Sequence, residues 1–472
     1  MPNTTDELTI ELCCPTCADE LVRASDSALC RTCSIAYPEL AATTSPLTAE
    51  GVDQRPAVAQ RPAKVHCCYA NPKQELAGWR ASAHSALQEL LEAKRQVEMA
   101  SLTRSSQLTR TRLNTLAEGY TGQIDCLTQL LAPLLADQPT SDKTTYDALA
   151  TRPLTQPTTL LGYSTNIFRD WAWGESENQQ AVELISEVAS APLGNLLVLG
   201  AGAGRLAYDL SHRTDGQVIA VDLNPYTSLL GAMLSSGAAI DLWEFPFAPK
   251  ETTDVAVKHR LQVPEARANL HWVLADARTL PFSAQRFDTV LTPWYTDVAP
   301  EPPTATAKRI NNLLVDGGQW LNFGSASFAD AKLADQLSLH ELLELVSQQG
   351  FDTPSCVEAP GAYLHSPHSR FSRVEELHAF AAIKHTHKGK PQPPALPTWL
   401  TDYNEPIPAL EGFVQQAMST QIHAYLMSLI DDQRSIADIA QILQQRQLMD
   451  AAEAQPVVQN FLRKLYLANP PN

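Results

Sequence analysis

The sequence predicts an α/β domain with an open parallel sheet, and three observations carry that prediction. Leu196-Leu-Val-Leu199 is a short, wholly apolar run, the pattern of a strand buried on both faces, and Gly200-Ala-Gly-Ala-Gly204 follows it directly. Val218-Ile-Ala-Val221 is a second such run and ends in Asp222. Leu270–Leu274, Thr289–Thr292 and Gln319–Gly324 then repeat the strand pattern at spacings that leave room for helices.

The glycine loop says what the sheet carries. Gly200, Gly202 and Gly204 have no side chains, so a ligand can press against the backbone N–H groups, and Arg205, which opens the following helix, is a further candidate cofactor contact. Asp222 stands 22 residues after Gly200, where a carboxylate can take the two hydroxyls of a ribose. An adenosine-bearing cofactor fits both features. A dinucleotide loop wants a small residue where Arg205 stands. The spacing G-x-G-x-G is instead the usual form in S-adenosylmethionine (SAM) methyltransferases.

Downstream segments favour the second cofactor. The third strand leads to Asp276, Pro281-Phe282 and Phe287-Asp288 precede the fourth, Pro293-Trp-Tyr295 ends it, and Leu313-Leu-Val-Asp-Gly-Gly318 precedes the fifth. Taken in order, these resemble the class I SAM-dependent methyltransferases. That resemblance implies a Rossmann-like sheet, Gly200 to Gly204 along the methionine moiety, Asp222 on the ribose and Asp276 at the adenine edge. For Asp276 a capping or surface role stays open.

Four segments narrow the likeness: Arg169-Asp-Trp171, Gly200–Leu206, Leu230–Ser236 and Trp320-Leu-Asn-Phe-Gly324. Together with Tyr295-Thr-Asp-Val-Ala299 they resemble the carnosine N-methyltransferase family over roughly residues 160–385. Leu223-Asn-Pro-Tyr226 and Gly324-Ser325 depart from its pattern. The resemblance implies an N-methyltransferase whose acceptor is a small imidazole- or amine-bearing molecule such as a histidyl dipeptide. Such an acceptor needs a carboxylate to orient its ring and face the cation formed on methylation. Asp297, just past the fourth strand, is the candidate; a loop-capping acid is the alternative. Tyr295 and Asn322 are candidates for the rest of the acceptor pocket, or simply packing. Arg169 and Trp171 either close over the cofactor or anchor the preceding helix.

His365 and His368 invite a metal or base reading, but one segment supplies no third ligand. The N-terminus carries a more specific signal. Cys14-Pro-Thr-Cys17 and Cys30-Arg-Thr-Cys33 have the C-x2-C-x12-C-x2-C spacing of two knuckles holding tetrahedral zinc, with Cys13 a less well-spaced substitute for Cys14. Reduced thiols point to a reducing compartment. His66-Cys67-Cys68 is not a second knuckle.

Charge bears on partners. The chain carries −17, and residues 1–50 hold eight acids against Arg23 and Arg31, a balance of −6. Phosphate binding relies on Lys and Arg, so nucleic acid is an unfavoured partner. No apolar run approaches the ~20 residues of a membrane helix and no signal peptide opens the chain, so a soluble, cytoplasmic protein is expected.

The expected organisation is a zinc ribbon at 1–40, a linker at 41–72, a helical region at 73–150, the methyltransferase domain at 151–385, a linker at 386–400 and a small domain at 401–472. In the helical region Ala83, Ala86, Leu90, Ala93, Val97 and Ala100 recur at helical spacing and suggest a helical cap; a dimer arm is the weaker reading. In the last segment Thr420–Ile430 reads as a helix, Ser435-Ile-Ala-Asp438 as a capping box, and Val457 to Leu465 as a final helix. This segment resembles winged-helix PqqD-like domains, which implies a peptide or protein acceptor recruited by the ribbon and this domain as the second functional reading. The sequence leaves the oligomeric state open.

Overall fold

The computed structural model describes residues 8–24, 26–42, 63–104, 106–136, 160–328, 333–391, 406, 408, 421, 424–431 and 433–468. They divide into two compact units, residues 1–391 and 392–472.

The first unit is built on one eleven-stranded sheet. Its strands are β1 (Val22–Arg23), β2 (Ser27–Cys30), β3 (Ile35–Ala42), β4 (Ala63–Cys67), β5 (Leu196–Leu199), β6 (Val218–Asp222), β9 (Leu270–Leu274), β10 (Phe287–Pro293), β11 (Leu314–Gly324), β12 (Ser355–Tyr363) and β13 (Arg373–Ile383). The order across the sheet is β1-β2-β3-β4-β9-β6-β5-β10-β11-β13-β12. The two remaining strands, β7 (Ile240–Glu244) and β8 (Val257–Leu261), pair only with each other. The five strands read from the sequence are β5, β6, β9, β10 and β11, and they run parallel. This is the open, Rossmann-like sheet expected of them.

Chain order explains where a ligand would sit. From β5 the next strands step to β6 and β9 on one side, and β10 and β11 fall on the other. The crevice at the carboxyl ends of β5 and β10 is therefore the topological switch point, where open α/β sheets bind ligands. β5 is buried along its whole length, as an apolar run covered on both faces must be.

The ribbon is not a separate appendage. Residues 63–67, part of the linker expected at 41–72, form β4, which pairs antiparallel with β3 and parallel with β9. Alternating burial along Ala63–Cys67 and the shared sheet make this a strand, a period too short to stand out from a Pro- and Ala-rich stretch. Residues 43–62 of that stretch lie outside the described residues.

Two long helices, α1 (Pro72–Thr103) and α2 (Gln107–Leu130), form an antiparallel pair. The Asn71 side chain caps α1 by accepting from the Gln74 amide at 3.3 Å. Leu76, Trp79 and Ala83 join the main core, and α2 rests on the β7–β8 hairpin: the Trp243 amide donates to Gln123 Oε1 at 2.8 Å. Residues 137–159, the rest of the expected helical region and the start of the next, lie outside the described residues.

In the second unit, Ser435 and Asp438 form the expected capping box on the helix Ile436–Gln445. Leu426, Leu429, Ile439, Leu443, Ala454 and Val458 make a small core with the helix Ala451–Ala468. Residues 421 and 424–428 of the helix expected at 420–430 are helical. Among the described residues of this unit there is no strand. Among the described residues no helix is long and apolar enough to cross a membrane.

Candidate functional site

The three loop glycines all have positive φ, +71° at Gly200, +56° at Gly202 and +83° at Gly204, a region L side chains rarely enter. Their surroundings differ. A Cβ on Gly200 would stand 2.9 Å from Tyr295 Cδ2, and one on Gly204 would stand 2.6 Å from Trp272 Cζ2. A Cβ on Gly202 would meet nothing within 4 Å. Gly202 is thus the glycine of the three that faces open space, and the cradle it leaves fits the backbone approach a SAM methionine moiety requires.

Asp222 closes one side of that cradle. Its carboxylate accepts from the Gly202 amide at 2.8 Å and from the Asn224 amide at 2.8 Å. Burial raises its pKa above the usual carboxylate range, while these amide bonds oppose the shift. Asp276 lies two residues past β9, but its oxygens are held by Arg278, whose Nε donates to both at 3.0 Å. That leaves the capping reading of Asp276 alongside the adenine one.

Arg205 and Arg169 are bound to the protein itself. Arg205 Nε bonds both Asp209 oxygens, Nη1 donates to the Asp170 carbonyl at 3.0 Å, and Nη2 pairs with Glu175 at 2.8 Å. Arg169 donates twice to Asp170 Oδ1, at 2.9 and 2.7 Å. Residues Arg169–Trp173 form a single π-helical turn, a strained geometry often found at functional sites. From it Trp171 Nε1 donates to the Ala203 carbonyl in the glycine loop at 3.0 Å. The Arg169-Asp-Trp171 segment therefore braces the loop.

On the other side of the switch point, Tyr295, Asp297, Asn322, Gly324 and His378 line a narrow pocket of about 10 Å³, room for about one water-sized sphere. Asp297 Oδ2 accepts from the Ser327 amide at 2.9 Å, and Oδ1 has no hydrogen-bond partner among the described residues. The Asn322 amide is oriented with its nitrogen donating to Thr296 Oγ1 (2.5 Å) and Thr292 Oγ1 (2.7 Å) and its oxygen accepting from His378 Nε2 (2.9 Å). Burial lowers the His378 pKa against the pull of nearby Asp297, so its ring is kept neutral. His378 was not a sequence candidate: it lies inside β13, in a strand with no motif. The packing of Gly200 on Tyr295 joins this pocket to the glycine loop.

The four cysteines converge as their spacing predicts. Cys14 and Cys33 sulfurs are 3.9 Å apart, Cys17 and Cys30 sulfurs 3.5 Å, and all four lie within 4.8 Å of one another. Tetrahedral zinc with Zn–S bonds of about 2.3 Å needs sulfurs about 3.8 Å apart, so the set fits that ion. Cys13 is not part of it; its amide instead donates to the Pro281 carbonyl at 2.8 Å. Burial would raise the Cys14 thiol, but bonds from Tyr37 Oη and the Cys17 and Thr16 amides bring it down to about 6.

His365 and His368 part company. His365 only presents its backbone amide to Glu177, whereas His368 Nδ1 meets Asp254 at 2.9 Å and its ring lies 5.8 Å from that of His259.

No family and no curated protein matches the chain. Among solved structures it is similar to phosphoethanolamine N-methyltransferase 2 of Haemonchus contortus, in complex with phosphomonomethylethanolamine and S-adenosylhomocysteine: 15% identity, 44% of this chain against 53% of that one, TM-score 0.31. It is also similar to the N-methyltransferase NodS of Bradyrhizobium japonicum, in complex with S-adenosylhomocysteine, at 12% identity, 46% against 90%, TM-score 0.31. A third is the [4+2]-cyclase SpnF, at 12% identity, 45% against 82%, TM-score 0.32. The chain spans about half the length of the Haemonchus enzyme.

Proposed function

We propose that the chain is a SAM-dependent N-methyltransferase acting on a small imidazole- or amine-bearing molecule, with a histidyl dipeptide as the acceptor suggested by its resemblance to the carnosine-methylating family. The observation that carries the reading is the juxtaposition at the switch point. The open cradle at Gly202, bordered by the Asp222 carboxylate, is tied through the Gly200–Tyr295 contact to the pocket holding Asp297, Asn322 and His378.

SAM would be held by the backbone around Gly202 and by Asp222, and when bound it supplies an electrophilic methyl group. The protein's task is then alignment, because a well-oriented pair reacts without a strong base. An imidazole acceptor is largely neutral near pH 7 and has its lone pair ready. Asp297 Oδ1, unpartnered among the described residues, takes the acceptor's other N–H and faces the cation that forms. Asn322, locked by Thr292 and Thr296, fixes the His378 ring beside it.

Incubating the full chain with labelled SAM and a panel of histidine dipeptides, free amines and peptides tests the reading. Label in a small imidazole or amine product supports it. Label in peptides alone moves the acceptor class, and failure to bind SAM by calorimetry overturns the proposal.

A further inference from the structure

We infer that the β7–β8 hairpin carries a second metal site, built from Glu244, His259 and His368 and taking a divalent transition-metal ion. These residues come from β7, from β8 and from the loop between β12 and β13. One ligand atom from each lies within 4.8 Å of the other two. Their side chains are largely withdrawn from water, 4% exposed at Glu244, 15% at His259 and 28% at His368.

The surrounding bonds match what a metal site requires. His368 Nδ1 is engaged by Asp254 at 2.9 Å, which leaves Nε2 as the nitrogen for an ion. A carboxylate holding the far nitrogen of a ligating imidazole is the arrangement that fixes its tautomer and raises its basicity. Glu244 is oriented as well: Oε1 accepts from Ser366 Oγ at 2.7 Å, and Oε2 accepts from Trp173 Nε1 at 3.1 Å. His259 Nε2 stands 2.8 Å from Glu244 Oε2. A proton shared there occupies the place of the cation, and loading the site displaces it.

Two imidazoles and one carboxylate, with the remaining positions open, form the ligand set of catalytic zinc and of non-haem iron(II). The ion would tie the hairpin to the 364–372 loop. It would also bear on Trp173, whose π-turn neighbour Trp171 bonds the glycine loop.

Metal analysis of the full chain reads the proposal, with zinc loading in one arm and anaerobic iron(II) in the other to tell the two ions apart. We expect two equivalents in the wild type, one left in H259A/H368A, and one left in C17S/C30S. A wild type that takes up one equivalent, or a second equivalent that survives H259A/H368A, overturns the site. Should either variant fail to fold, cobalt(II) titration of the wild type decides. The first equivalent gives the intense thiolate charge-transfer band of the four cysteines, and the second must bind without adding to it. Saturation after the thiolate-bound equivalent also overturns the site.

Discussion

The Trp272 indole occupies the space in which a Gly204 side chain would begin, so that the third loop glycine serves packing while the second serves the open cradle. Trp272 is buried on β9, and its Nε1 donates to Ser235 Oγ at 3.1 Å. Two substitutions separate the roles. Gly204→Ala should lower the melting temperature markedly, because an added methyl must displace a fixed ring. Gly202→Ala should cost only about 1 kcal/mol of backbone strain yet weaken SAM binding. Thermal melts and calorimetry on both variants check this. The assignment of roles is wrong if Gly202→Ala leaves SAM affinity unchanged.

Asp222→Ala should weaken SAM binding by about 2–4 kcal/mol, the worth of two charge-assisted hydrogen bonds. The Gly202 and Asn224 amides also lose their acceptor, so part of the loss reflects a looser loop. Calorimetry with SAM reads it. Equal affinity in mutant and wild type would remove Asp222 from the cofactor site, and tighter binding of NADH than of SAM would restore the dinucleotide reading.

If the four cysteines hold zinc, stripping it should lower the melting temperature of the whole first unit. A ribbon set apart by a long linker would have no such effect, but β3 and β4 carry it into the sheet beside β9. The bond from the Cys13 amide to the Pro281 carbonyl ties it to the loop that follows Asp276. SAM affinity should therefore fall with the metal. Scanning calorimetry before and after chelation, and after C17S/C30S, checks the coupling; unchanged melting would make the ribbon a passenger.

Asp297→Asn should leave SAM binding intact while turnover falls by roughly 10²–10⁴, the range for removing one charged stabiliser. The amide keeps the shape and one acceptor oxygen for the Ser327 amide but loses the charge. Normal turnover of whichever substrate the panel identifies would leave Asp297 as a loop cap.

His271 gives an acid-sensitive seam. Burial on β9 lowers its pKa from 6.5 to about 4, and nearby His66 and Arg23 push the same way. Between those two values the unfolded chain binds the proton and the folded chain does not, so stability is full above pH 6.5 and declines as pH falls towards 4. Denaturant melts across that window should show a shallower decline for His271→Gln than for the wild type. Parallel declines would place the sensitivity elsewhere.

The parallel core was legible because its strands are buried on both faces and read as unbroken apolar runs. The cysteine cluster was legible because four thiolates that can meet around one ion need that spacing. What escaped were elements whose signal is tertiary. β4 is five residues long and begins where an Ala-, Thr- and Pro-rich stretch ends. His378 and His259 sit mid-strand and gain meaning only from what the topology sets beside them, Asn322 in one case and Glu244 in the other. Arg205 is expected at the cofactor from its place after the loop, but its bonds to Asp209, Glu175 and the Asp170 carbonyl are contacts that the loop motif does not announce.

The eleven-stranded sheet ends on one side in β1, two exposed residues long, and on the other in β12, which carries Pro360. A very short strand and a proline are both poor templates for a neighbouring chain. Cutting the protein back to residues 150–385 would take away β1 to β4 and lay bare Leu270–Leu274, four of whose five residues are buried. Such a fragment should self-associate into insoluble aggregates, so β4, set against β9 by the cysteine-bearing segment, covers what would otherwise be an open sheet edge.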